Sequence, residues 1–172
     1  MINRRLPGDY VRSLEKFVFL PGALEALRIL AGRFSKIVVV TNQAGIGKGR
    51  MTTAQLIDIH NFMKKRVLAE GGRIDRVYHC PHRPDEGCGC RKPGIGMARV
   101  AKKDFPEIVF ENSWLVGDSA SDIEMGQKLG MKTVWIDGKT EDRARLESCQ
   151  PDFRFGSLFE FAKASEALLA PS

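Results

Sequence analysis

The segment from Tyr78 to Pro93 reads Tyr-His-Cys-Pro-His-Arg-Pro-Asp-Glu-Gly-Cys-Gly-Cys-Arg-Lys-Pro and holds three of the chain's four cysteines and two of its three histidines. Within it, Cys80, His82, Cys88 and Cys90 offer three thiolates and an imidazole. Zinc favours such a soft, four-membered tetrahedral set. Because the set is complete, no position stays open for substrate, and the metal is expected to be structural. A site of this kind contributes on the order of 10 kcal/mol to the order of its segment. The competing reading is reduced thiols in a flexible loop. Arg91 and Lys92 follow at once. If Pro93 opens a helix, its N-terminus joins these two cations in favouring an anion. Taken alone, the pair reads equally as two solvated surface charges.

Two further groups could do chemistry. Thr41 and Asn42 end an apolar run, where a hydroxyl and an amide can donate to phosphate oxygens. The glycines that follow, Gly45, Gly47 and Gly49, do not form the Gly-x-x-x-x-Gly-Lys-Ser/Thr pattern of a phosphate loop. They are expected to shape a tight loop beside the site. Asp118 ends another apolar run, and Asp122 lies four residues on. Together these carboxylates suit Mg2+, although either one could cap a helix or bond the loop.

The elements that must carry these groups are legible in outline. Lys36–Thr41 is a β-branched run of the kind found in a strand buried on both faces. The spacing predicts strands also over 74–80, 113–118 and 132–136, and a short edge strand over 151–155. Helices are expected over Ala23–Ala31, from Thr52 or Thr53 to about Glu70, and over 95–103, 121–129, 140–148 and 157–168. Phe17–Leu20 is a spare apolar run. Strands alternating with helices predict an α/β fold, a doubly wound parallel sheet with helices on both faces. Such sheets bind ligands at the carboxyl ends of their strands. Those ends carry Thr41 with Asn42, the 80–92 segment, and Asp118.

Length and composition narrow the function. At 172 residues, one domain over 1–172 is expected, with no linker, repeat or inserted cap. No apolar run approaches the roughly 18 residues of a membrane span, and the N-terminus has no apolar signal region. A cytoplasmic protein with no membrane partner is expected, and the clustered cysteines then favour metal over disulfides. Cys149 stands apart and reads as an ordinary loop or core thiol. The net charge is +6, but the cations are scattered with few aromatics among them. That argues against nucleic acid and for a small phosphorylated ligand.

A hydroxyl, a cation and an acid at three strand ends resemble the haloacid dehalogenase-like phosphohydrolases. Thr41-Asn42-Gln43-Ala44-Gly45-Ile46, the zinc loop running into Arg91-Lys92-Pro93, and Val116-Gly117-Asp118 are similar to its heptose bisphosphate phosphatase family. The related histidinol-phosphate phosphatases also carry a zinc loop. The resemblance covers the chain from Ile2 to about Ile136. It implies a Mg2+-dependent phosphatase, monomeric, with structural zinc, removing the 7-phosphate of D-glycero-D-manno-heptose 1,7-bisphosphate through an aspartyl-phosphate. The setting would be synthesis of the heptose unit of bacterial surface polysaccharide. Thr41 and Lys92 would stabilise the phosphoryl group. Substrate would meet Arg5, Tyr10, Thr41, Asn42, Gln43, Ala44, Arg91 and Lys92. Asp118 would hold Mg2+, with Asp122 as a second ligand or behind it.

The family's Asp-x-Asp-Gly motif, which supplies nucleophile and acid/base, occurs nowhere in the 172 residues. Met1-Ile2-Asn3 matches the residues that follow that motif in the family. The expectation is an N-terminally truncated chain without its first, central strand. Losing a nucleophile costs on the order of 10^4–10^6 in rate, so the chain as given is expected to be inactive. In-frame DNA upstream of Met1 encoding an apolar strand and Asp-x-Asp-Gly would support a misassigned start. A stop codon there would exclude it. Two other readings stand beside this one: a histidinol-phosphate phosphatase, and a non-catalytic sugar-phosphate binding protein or inactive fragment.

Overall fold

The computed structural model describes residues 1–4, 6, 8–137 and 149–169. Five strands run through it: β1 (Val38–Asn42), β2 (Arg76–Cys80), β3 (Trp114–Gly117), β4 (Lys132–Ile136) and β5 (Phe153–Phe155). Between and around them lie α1 (Ala23–Ala31), α2 (Ala44–Gly47), α3 (Thr53–Ala69), α4 (Gly96–Asp104), α5 (Ala120–Lys128) and α6 (Leu158–Leu169). Every strand pair is parallel, β1 with β2, β3 with β4 and β4 with β5. This is the expected α/β architecture.

The register does the positioning. Thr41 lies opposite His79 and Asn42 opposite Cys80. The first cysteine of the cluster therefore sits beside the hydroxyl–amide pair that ends β1. The scaffold beneath is apolar in the helical period. Leu56, Ile59, Met63 and Val67 of α3 join Ala26, Leu27 and Leu30 of α1, Val134 and Ile136 of β4, and Phe161 and Ala162 of α6 in one core. Each fully buried aliphatic side chain of this kind contributes about 1.5–3 kcal/mol. At its start, α3 is closed by reciprocal hydrogen bonds. Gln55 N donates to Thr52 Oγ1 at 3.1 Å and Thr52 N to Gln55 Oε1 at 2.8 Å. A separate cluster of Tyr78, Cys80, Met97 and Ala101 packs α4 onto β2.

The described strands form two parallel sheets, β1–β2 and β3–β4–β5, as expected of a sheet without its first, central strand. Several other expectations need correction. All five residues of β1 are half-buried instead of buried on both faces, and β2 is its sole partner among the described strands. The run Phe17–Leu20 is no sheet strand. It folds back on the N-terminus through an isolated antiparallel bridge between Asn3 and Phe19. The glycine loop after β1 contains a short helix, α2. Pro93 does not open α4, which begins at Gly96. The reason is local crowding: Gly96 N donates to Gly89 O at 3.0 Å and Gly94 N to Arg91 O at 2.6 Å. A Cβ on Gly94 or Gly96 would stand 2.5 or 2.8 Å from Gly89 O. The cysteine loop thus takes up the first residues after Pro93 and delays the helix. The helix expected over 140–148 lies outside the described residues.

Candidate active site

The cysteine cluster assembles as its spacing predicts. The four candidate ligand atoms of Cys80, His82, Cys88 and Cys90 lie within 4.8 Å of one another. Cys80 Sγ is 3.5 Å from Cys88 Sγ and 3.2 Å from Cys90 Sγ, and His82 Nδ1 is 3.2 Å from Cys90 Sγ. Four ligands about 2.0–2.3 Å from a shared zinc stand about 3.3–3.8 Å apart, so the donor set fits the metal in both type and spacing. Burial pushes the Cys80 thiol up to about 12, reinforced by its thiol neighbours. At Cys88 burial acts in the same direction. Hydrogen bonds from the Arg91 backbone and the neighbouring thiols outweigh it and bring the group down to about 7.

The loop next to the cluster is tied to it. Gln43 N donates to Cys80 O at 2.7 Å, and Gly47 N to Pro81 O at 3.0 Å. Ala44, the first residue of α2, is buried. The Gln43 side chain donates to Thr41 Oγ1 at 3.0 Å. The Thr41 oxygen is thereby used as an acceptor, and its proton is available to a phosphate oxygen.

Lys92 is the centre of the arrangement. Its ammonium donates to Val40 O at 2.9 Å and to Asp122 Oδ1 at 2.5 Å. Asp122 is itself buried, and its other oxygen accepts from Ser119 N at 3.1 Å and Ser119 Oγ at 2.6 Å. Both Asp122 oxygens are therefore engaged by this chain, and the residue serves the ammonium and the start of α5. Gly117 makes that possible. A Cβ there would lie 2.2 Å from Asp122 Cβ, so only glycine lets α5 fold this closely over the end of β3. Asp118, the next residue, accepts from the Met1 α-amino group at 2.9 Å through Oδ2.

The structure thus links Thr41, Asn42, Gln43, Lys92 and Asp122 around the end of β1, with Cys90 two residues before Lys92, while Asp118 at the end of β3 is held by Met1. Arg91 folds back across the loop, donating to His82 O at 3.4 Å. Tyr10 lies against Gly45, where an added Cβ would approach its ring to 2.9 Å. Arg5 lies outside the described residues. Sequence reasoning missed the supporting residues Ser119 and Gly117. The Ser-x-x-Asp spacing of a capped helix start was the available signal for Ser119.

The chain is similar to known proteins in sequence and fold. The HAD-hydrolase-like family model matches residues 89–161. A D-glycero-alpha-D-manno-heptose-1,7-bisphosphate 7-phosphatase from Mycobacterium bovis is 37% identical over 169 residues, 95% of this chain and 86% of that protein. The chain belongs to the heptose bisphosphate phosphatase family of HAD-like hydrolases. Within that family, a D-glycero-beta-D-manno-heptose-1,7-bisphosphate 7-phosphatase from Pseudomonas putida is 38% identical over 127 residues, 74% of this chain and 72% of its own. Among solved structures, a D,D-heptose 1,7-bisphosphate phosphatase from B. bronchiseptica complexed with magnesium and phosphate superposes with a TM-score of 0.85. It is 29% identical, and the match covers 97% of this chain and 93% of that one. Among the described residues no helix is long and apolar enough to cross a membrane.

Proposed function

We propose that the site binds the 7-phosphate of D-glycero-D-manno-heptose 1,7-bisphosphate for hydrolysis, in a single cytoplasmic domain acting as a monomer. Zinc would be held by Cys80, His82, Cys88 and Cys90, fixing the loop. Mg2+ would be held at Asp118, since this ion commonly takes one or two carboxylates together with substrate phosphate. When bound, Mg2+ would neutralise phosphoryl charge. The observation that carries the reading is Lys92. Its ammonium is fixed at a strand end between Val40 O and Asp122, one residue from the Thr41 hydroxyl.

The chain's own residues then have distinct tasks. Lys92 balances charge on the phosphoryl oxygens, and Thr41 donates a hydrogen bond to one of them. Backbone groups of Asn42, Gln43 and Ala44 line the same loop. Arg91 and Tyr10 border the sugar side, and Arg5 is assigned there by family resemblance. A second reading, binding without hydrolysis, is favoured for these 172 residues by one observation: they contain no Asp-x-Asp. Phosphate release from heptose 1,7-bisphosphate and from histidinol phosphate, each with Mg2+, tests both readings. Release selective for the heptose substrate supports the phosphatase. Selective release from histidinol phosphate replaces the substrate assignment. Binding of heptose bisphosphate with release at background supports the second reading.

A further inference from the structure

Asn42 was expected to meet the substrate through its side chain, yet that side chain is turned to another task. Its Nδ2 donates to Lys92 O at 3.2 Å, and its Oδ1 accepts from Lys92 N at 3.0 Å. One carboxamide thereby satisfies both backbone groups of a residue fifty positions away, as a neighbouring strand would. We propose that Asn42 is a positioning residue, which clamps the backbone of Lys92 so that the lysine ammonium is delivered to the phosphoryl group. The assignment rests on the phosphate-binding reading above.

The geometry explains why asparagine stands there. A long, flexible lysine side chain loses several rotamers when it is held for a single task. Here it is held at three levels. The metal cluster ends two residues before it, at Cys90. Asn42 holds its backbone. Val40 O and Asp122 receive its ammonium. Clamping needs a donor and an acceptor on one short planar group. Aspartate lacks the donor, alanine lacks both partners, and serine carries donor and acceptor on one oxygen rather than on two atoms that span the backbone N–H and C=O. Because Asn42 ends β1, the clamp also ties the strand that carries Thr41 to the segment that carries Lys92. One Nδ2 hydrogen remains for other partners, so the question to decide is whether Asn42 acts through Lys92 or on the ligand directly.

A double-mutant cycle decides it. Affinity for inorganic phosphate in the presence of Mg2+ is measured by calorimetry for the 172-residue chain, Asn42→Ala, Lys92→Ala and the double variant. Zinc content and far-ultraviolet circular dichroism establish that each is folded. The isosteric Asn42→Asp serves as a second lesion if Asn42→Ala does not fold. In the wild-type background, Asn42→Ala is expected to weaken binding about tenfold. In the Lys92→Ala background it is expected to change binding less than twofold. An equal loss in both backgrounds would make Asn42 a direct ligand and overturn the clamp. The Lys92 ammonium 15N–1H signal, assigned by its loss in Lys92→Arg, gives a second readout that needs no ligand. Its protons are expected to be slow to exchange in the wild type and to exchange like those of surface lysines in Asn42→Ala. An unchanged signal would overturn the proposal. If the wild type binds no phosphate, the functional reading fails and the ammonium signal alone decides the clamp.

Discussion

The ion pair between Lys92 and Asp122 is the residue-scale feature that most constrains the site. Its side chains are only 12% and 8% exposed, so neither charge is screened well by water. Removing one member of such a pair typically costs about 3–5 kcal/mol, because the other charge is left buried. Lys92→Met is therefore expected to lower unfolding stability by an amount in that range in urea titrations. The double variant Lys92→Met/Asp122→Asn is expected to lose less than the two single variants combined. Additive losses would mean that the two charges do not act as a pair. Gly117→Ala is expected to be destabilising by about 1–3 kcal/mol, since the new methyl falls on Asp122. The same titration checks it, and a neutral result would show that α5 has room to shift. The residue types at these positions were legible from sequence, and so was their order along the chain. The partners of Asp122 were not, because a carboxylate four residues past a strand end suits a metal, a cap and a lysine alike. Only the approach of α5 over Gly117 selects among them.

At the scale of elements, the metal loop was legible because its four ligands lie within eleven residues, and the spacing alone brings them together. The start of α4 was misread for the opposite reason. Proline at a first helical position is a local signal. It yields here to hydrogen bonds from Gly94 N to Arg91 O and from Gly96 N to Gly89 O, and to the close approach of both glycines to Gly89 O. A metal bound at these four ligands would therefore organise the cysteine loop, the Arg91-Lys92 pair and the entry to α4. Chelating zinc from the holo-protein is expected to abolish hydrogen-exchange protection at the Gly94 and Gly96 amides. Protection in α3, whose core contacts lie elsewhere, should be retained. A structural zinc contributes on the order of 10 kcal/mol, so the loss in the loop should be complete. Equal protection with and without metal would show that the loop holds itself.

Across the whole molecule, the alternation of strands and helices was legible, but which strands pair with which was not. Periodicity reports which faces of a strand are buried and says nothing of which edges are paired. β1 was read as a strand buried on both faces from Val38, Val39 and Val40, whereas all five of its residues are half-buried and β2 is its sole partner among the described strands. Global stability carries one pH-dependent contribution that sequence could not locate either. His60 of α3 faces His79 of β2, with ring centroids 6.0 Å apart. Burial, and secondarily the neighbouring imidazole, brings His60 down from 6.5 to about 4. Burial lowers His79 as well. A histidine that resists protonation in the folded state binds fewer protons than in the unfolded chain. Its contribution is thus fully present above pH 6.5 and is lost as pH falls toward 4. Thermal melts of the zinc-loaded wild type and of His60→Gln should therefore converge as pH is lowered through this window. The variant's melting temperature should fall less steeply, since any acid release of metal is common to both proteins and cancels in the comparison. Parallel curves between pH 6.5 and 4 would mean that His60 reaches solvent and that its packing against β2 is looser than described.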